Sequence, residues 1–310
     1  MAELITFIAS ILIAFGIGSN DTSNALGVCI GAGVIKLRKA VLLFGCFVLI
    51  GIMVQGQKVM KTVGKDLLDV NPSIMSISLS VAAFLIILSN WKKLPLSTTQ
   101  VIIGSLTGSG IASGGDIHFL SILKIILSWI ISPPVAFLSS LLLYRAMEKT
   151  ISKLSLFRIE RILRVLLLIS GILISYNTGA NELATILGPV IHSGLIEKIR
   201  ASLLGSLFVF LGAVILSHRV IETVGKGITT LDPYSGFAAQ FGAGISILFF
   251  TSLGMPISTT YCIIGGISGV GMSKGMKTVR IDLIKKIIAN LVLAPSLAFL
   301  ISFVIMKAIS

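Results

Sequence analysis

Gly18–Gly27 reads GSNDTSNALG and Gly179–Gly188 reads GANELATILG, so that Asp21 and Glu182 stand 161 positions apart. The same offset carries Thr62-Val63-Gly64-Lys65 onto Thr223-Val224-Gly225-Lys226, and Pro95, Ser97, Thr98 and Thr99 onto Pro256, Ser258, Thr259 and Thr260. It then carries Ile102, Ile103, Gly104 and Gly108 onto Ile263, Ile264, Gly265 and Gly269, and Pro134 onto Pro295. One register held across five separated blocks is an internal duplication. The most polar stretch, Arg145–Arg164, holds six basic and two acidic residues and marks the joint. This gives repeat one at 1–145, a short basic cytoplasmic connector at 146–159, and repeat two at 160–310.

Composition sets the medium in which the repeats fold. Of 310 residues, 55% are hydrophobic and only 12% charged, and the mean hydropathy is +1.04. A soluble domain carries about 25% charged residues. Apolar runs such as Ala40–Val54, Ile74–Leu88 and Ile125–Ile131 recur along the chain, enough for roughly eight to twelve crossings at about 20 residues each. Lipid offers no partner to free backbone groups, so the crossings are helices. The expected fold is an all-α, multi-pass integral membrane protein of the cell membrane, with Met1–Phe15 as the start of its first membrane helix rather than a cleaved leader.

The formal charge of +13 does not point to nucleic acid. Its carriers sit in short clusters between apolar runs, at Lys36, Arg38 and Lys39, at Lys92 and Lys93, and in the connector, as the positive-inside rule produces. Cys29, Cys46 and Cys262 lie in apolar segments without paired spacing and read as small core residues.

Each repeat is expected to hold a long first helix, a short interrupted segment, two ordinary helices, a second interrupted segment and a long last helix, kinked in repeat one at Pro133-Pro134. An odd number of crossings per repeat would place the copies in opposite orientations. In that plan broken or re-entrant helices from the two inverted repeats meet at mid-membrane and form the site.

Two polar motifs occur twice within this apolar frame. The first is Asn20-Asp21 with Asn24, mirrored by Asn181-Glu182 with Thr185. A carboxylate at membrane depth is costly and marks an ion or proton path, and the nearby Gly16, Gly18 and Gly27 suggest a broken helix. The second is Ser97-Thr98-Thr99, mirrored by Ser258-Thr259-Thr260, each following a proline and preceding a Gly-rich apolar segment. Ser or Thr caps a helix start, whose free N–H groups and positive dipole end receive anions. Hydroxyls and helix ends would therefore hold an oxyanion. The carboxylates imply a coupling cation, Na+ or H+, and can accept a hydrogen bond from a protonated oxyanion. Phosphate near neutral pH keeps such a proton and sulfate does not, which favours phosphate.

At these residues the sequence resembles the inorganic phosphate transporter (PiT) family, whose members carry G-x-N-D-x-x-N-A early and P-[VI]-S-[ST]-T later in each of two repeats. The resemblance covers essentially the whole chain. It implies inverted repeats and Na+- or H+-coupled uptake of phosphate, with some relatives moving sulfate. By resemblance, Asp21, Asn24, Ser97, Thr98, Thr99, Asn181, Ser258, Thr259 and Thr260 contribute to the substrate and cation sites. Departures are Glu182 for the usual Asp, Thr185 for the usual Asn, and Gln100 and Tyr261 where many relatives have His. The long hydrophilic central domain of some members is also missing.

The expectation is thus a secondary active transporter for phosphate, or alternatively sulfate, with substrate ligands from Asp21, Asn24, Ser97–Thr99, Glu182 and Ser258–Thr260. Cation ligands are expected from Asn20, Asp21, Asn24, Asn181, Glu182 and Thr185. No cofactor and no metal beyond Na+ is expected. The partners are the transported anion and membrane lipid, with a homodimer as one open form of assembly. An anion channel or an intramembrane enzyme using the carboxyl pair are the other classes considered. His118, His192 and His218 fall near expected helix ends and give the pair no catalytic partner, and Lys124 and Lys285 read as interfacial.

Overall fold

The computed structural model describes residues 1–92, 96–151, 155–228, 232–275 and 281–309. Lys93, Pro95 and Lys153 lie outside them, as do the side chains of Lys92, His218 and 223–226. Repeat one contributes α1 (Ala2–Gly31), α2 (Leu37–Gln55), α3 (Gln57–Lys61) running into a π-helical turn at Thr62–Asp66, α4 (Pro72–Lys92), α5 (Thr98–Ala112) and α6 (Phe119–Ile151). Repeat two contributes α7 (Leu156–Asn177), a π-helical turn at Thr178–Leu183, α8 (Ala184–His192), α9 (Lys198–Ile228), α10 (Pro233–Ser252), α11 (Thr259–Lys274) and α12 (Ile281–Ile309). Among the described residues, seven helices are long and apolar enough to cross a membrane. The chain is a multi-pass membrane protein.

Shifted by 161, each rod of repeat one falls on its counterpart: α1 on α7–α8, α2–α3 on α9, α4 on α10, α5 on α11 and α6 on α12. Glycine contacts carry the correspondence into the packing. A Cβ on Gly18 of α1 would lie 1.8 Å from Val209 O of α9, and one on Gly179 would lie 1.9 Å from Val48 O of α2. A Cβ on Gly212 would lie 2.0 Å from Phe15 O, and one on Gly51 2.0 Å from Tyr176 O. Both partners of each contact shift by the same 161. Backbones approach this closely only where the side chain is absent, the usual means of helix association in lipid.

The last helices are exchanged. α12 of repeat two packs on α5 of repeat one, with Pro295 O and Phe299 O against Gly104 and Gly108, while α6 packs on α11, with Pro133 O and Phe137 O against Gly265 and Gly269. α4 and α10 flank α5 and α11. At 15 and 16 residues, α5 and α11 span about 22–24 Å at 1.5 Å per residue, less than the roughly 30 Å hydrocarbon core. These are the broken helices, capped where Ser97 Oγ accepts from Gln100 N and Ser258 Oγ from Tyr261 N, each at 3.4 Å. α5 is buried all round from Thr99 to Gly110, as expected of a core helix enclosed by others.

Two expectations need correction. Gly16, Gly18 and Gly27 do not break a helix, since α1 runs unbroken through Asp21; Gly18 serves packing against α9. The first interrupted segment is not a separate element in repeat one, whereas in repeat two the π turn Thr178–Leu183 sets the short α8 off from α7. The expected connector carries helix at both ends, α6 extending to Ile151 and α7 starting at Leu156, as its Arg, Lys and Glu residues are good helix formers.

A polar fastening lies at the margin of repeat two. Asp232 caps α10, accepting from Ser235 N and Ser235 Oγ, both at 2.9 Å, and Lys274 at the end of α11 donates to its Oδ2. Partial burial pushes the Asp232 carboxyl up, but the hydrogen bonds from Lys274 and Ser235 outweigh it and hold the group below the usual carboxylate range. A depressed folded value gives stability that is present above the unfolded pKa, about 4, and fades as pH falls through the folded one. Asp232→Asn keeps a cap but loses the charge. The wild type is expected to exceed it by at most about 1 kcal/mol, because the pair is half-exposed. In thermal unfolding in detergent that advantage should stay constant above about pH 5 and shrink below about pH 4.

Candidate functional site

Asp21, on α1, is 3% exposed and Glu182, in the π turn after α7, is 5% exposed. They come from the same position of the two repeats, and their carboxyl groups meet within hydrogen-bonding contact. Two bare carboxylates in such contact repel strongly, so a positive charge, as a shared proton or a cation, has to accompany them. Asn24 lies one turn along α1 and donates from Nδ2 to Asp21 Oδ1 at 3.0 Å. α10 secures this turn, because Gln240 Nε2 donates to Asn24 O at 3.0 Å and Ala25 O at 3.2 Å while its Oε1 accepts from Ser170 Oγ at 3.1 Å.

The neighbouring Asn181 links the carboxyl pair to the entrance of α11. Its Nδ2 donates to Thr251 Oγ1 at 2.8 Å and Met255 O at 2.9 Å, and its Oδ1 accepts from Ile257 N at 3.0 Å. From the other repeat, Thr99 Oγ1 donates to Ile257 O at 3.2 Å. Trp129 Nε1 holds Pro256 O at 2.8 Å. The extended segment before α11 is therefore pinned from α5, α6, α10 and the Glu182 turn, and this brings all four sequence motifs to one centre.

Ser97 and Ser258 are buried caps; Thr98 and Thr260 are half-buried on the first turns. Thr259 is fully buried, and its Oγ1 has no hydrogen-bond partner among the described residues. Two further expected members sit close by in sequence. Thr185 Oγ1 is turned back to Asn181 O at 2.7 Å, and Asn20 is half-buried beside Asp21. His118 Nδ1 lies 3.1 Å from Asp66 O and His192 Nδ1 lies 3.0 Å from Gly188 O, each at a helix end. Lys124 and Lys285 are exposed.

Gln240, Thr251 and Trp129 were not singled out from the sequence. A signal existed for Gln240, a lone carboxamide inside an apolar membrane helix. Thr251 and Trp129 become legible only through folding.

Replacing Asn181 by alanine removes three buried hydrogen bonds and leaves Ile257 N–H unpaired. The expected cost is about 2–3 kcal/mol, read as a lower melting temperature together with weaker anion binding, because the α11 cap loses its support.

The assembled centre joins buried hydroxyls and two helix N-termini to a carboxyl pair through Asn181 and Ile257, without a side-chain cation among the described groups that form it. Such a set can hold an oxyanion together with a small cation. The sequence profile of the phosphate transporter family matches residues 17–302. The chain is 37% identical to a proposed phosphate permease of Methanocaldococcus jannaschii, covering 97% of this chain and 96% of that one. It is 29% identical to the sulfate permease CysP of Bacillus subtilis, covering 98% and 87%. A solved structure described as a sodium-dependent phosphate transporter superposes with a TM-score of 0.85 at 25% identity, over 99% of this chain and 98% of its own.

Proposed function

The chain belongs to the phosphate transporter family, and on that premise we propose that it is a symporter of the cell membrane that carries inorganic phosphate inward with Na+. The observation that carries the reading is the contact of Asp21 with Glu182 across the two repeats. The carboxyl pair retains a cation, the cation offsets the pair's repulsion of an anion, and the anion is received by the first turns of α5 and α11. Ser97 and Thr98 from one side and Ser258, Thr259 and Thr260 from the other supply hydroxyl donors, while Thr99 holds Ile257 O in place for them. A protonated phosphate oxygen donates to a carboxylate. Neither ion is well housed alone, and that mutual dependence is what couples them.

The copies act as inverted repeats, with the site at their meeting point. Na+ is preferred as coupling ion on the likeness to the sodium-dependent transporter; a proton shared by the carboxyls is the other choice. The likeness to CysP supports sulfate as the second substrate reading, with the longer Glu182 and the hydroxyl of Thr185 as the residues that would retune the site.

The test is uptake of radiolabelled phosphate into proteoliposomes under separately imposed Na+ and H+ gradients, with unlabelled sulfate as competitor. Uphill accumulation that follows the Na+ gradient and resists sulfate is the expected result. Strong sulfate competition followed by direct sulfate uptake would reassign the substrate, and movement only down the anion gradient would make the protein a channel.

A further inference from the structure

The two repeats are alike in sequence register but not in backbone winding. Glu182 lies in a π turn, Thr178–Leu183, whereas its counterpart 17–22 around Asp21 is ordinary α-helix within α1. The reverse holds one element later. Thr62–Asp66 is a π turn, whereas its counterpart 223–227 is ordinary α-helix within α9. Among the described residues each repeat has one π turn, and the two occupy non-equivalent positions.

The second pair is the more telling, because its sequences open identically: Thr62-Val63-Gly64-Lys65 and Thr223-Val224-Gly225-Lys226. One tetrapeptide is wound as π in one copy and as α in the other, so local propensity does not choose between them. Packing chooses. The two π turns are joined through α8, which follows one and packs on the other. A Cβ on Gly188 of α8 would lie 2.7 Å from Met60 O, and one on Gly64 would lie 2.3 Å from Gly188 O.

Resting on the symport reading and its inverted repeats, we propose that the transporter alternates by exchanging these windings between repeats. In the opposite-facing state, 17–22 and 223–227 are the π turns, joined through 23–31 as 178–183 and 62–66 are now joined through α8, and the latter two become α-helix. π turns are rare, single-turn features found at functional sites, and moving one along a helix rotates the residues that follow. Here the rotation carries first one carboxyl and then the other past the anion site. Two packings of near-equal energy are what a two-state element requires.

The test uses the full chain in lipid nanodiscs, comparing wild type, Gly64→Ala and Gly225→Ala. A methyl on Gly64 collides with Gly188 O and, at 2.6 Å, with His192 Nδ1, so it disfavours the present state; a methyl on Gly225 disfavours the exchanged one. Hydrogen exchange reports the winding, since the less stable π turns open more readily. Gly225→Ala is expected to exchange fast at 62–66 and 178–183, and Gly64→Ala at 17–22 and 223–227. Phosphate uptake should fall at least about tenfold in both, as expected when one of two required states is depopulated. The same exchange pattern in both variants, or wild-type uptake in either, would overturn the proposal. Should a variant fail to insert, the wild type decides: adding Na+ with phosphate must change exchange at 17–22 and 178–183 in opposite directions, and parallel changes refute the exchange. Absence of concentrative uptake by the wild type would defeat the symport reading, while the exchange patterns would still judge the winding.

Discussion

Asparagine at position 21 is expected to lower concentrative phosphate uptake about a hundredfold, and glutamine at position 182 to do the same. Each change removes one charge from a buried pair and keeps the shape. Hydrogen bonds and ligation to a charged group are worth about 1.5–3 kcal/mol, and each 1.4 kcal/mol is about tenfold in an equilibrium. The loss should fall on ion coupling rather than on insertion, because removing one of two like charges relieves the interior of a desolvation cost. Melting temperatures of Asp21→Asn and Glu182→Gln should therefore match or exceed that of the wild type. The double variant should be little worse than either single one, as residues acting as a unit are not additive. Concentrative uptake at wild-type rate in both single variants would remove the pair from the mechanism.

A methyl group on Gly18 is expected to damage stability and activity together. It would stand 1.8 Å from Val209 O, and the obstacle is backbone rather than a side chain that can turn away. α1 and α9 would have to separate by about 1 Å, at a cost of about 3 kcal/mol, the upper end for overpacked sites. Asp21 lies on the next turn of α1, and a displacement of about 1 Å of a positioned group can cost about a hundredfold in rate. Gly179→Ala, facing Val48 O at 1.9 Å, should behave alike, since it repeats the contact 161 residues later. Expression, melting temperature and uptake of the two variants check this. A Gly18→Ala protein of normal melting temperature would mean that the helices tolerate the separation.

Much of this was legible in the sequence because duplication writes each motif twice. Asp21 and Glu182 are paired by register before any contact is known, and Ser97 and Ser258 are marked as caps by the proline two residues earlier and the apolar segment that follows. The glycines misled because a glycine in a membrane helix has two uses. Gly18 could have broken α1, and instead it admits α9; only the partner backbone tells which. The winding at Glu182 was not legible either, because the two T-V-G-K segments give one local sequence and two local structures. Thr185 repeats the register of Asn24, yet its hydroxyl is bonded to its own helix, a consequence of substituting a short side chain for a longer amide. Gln240 was passed over because its counterpart in repeat one is Leu79, so comparison of halves gave no signal.

The exchange of the last helices reaches into how the chain is made. α5 follows its cap Ser97 and carries Thr98 and Thr99, yet the face formed by Gly104 and Gly108 is covered by α12, which is translated long after it. Repeat one thus cannot finish its own interior while repeat two is still being translated, however fast its helices insert. Contacts so distant in sequence form late, and until they form the glycine face of α5 lies open. A chain cut short before α12 would keep every polar motif residue and still leave that face of α5 uncovered.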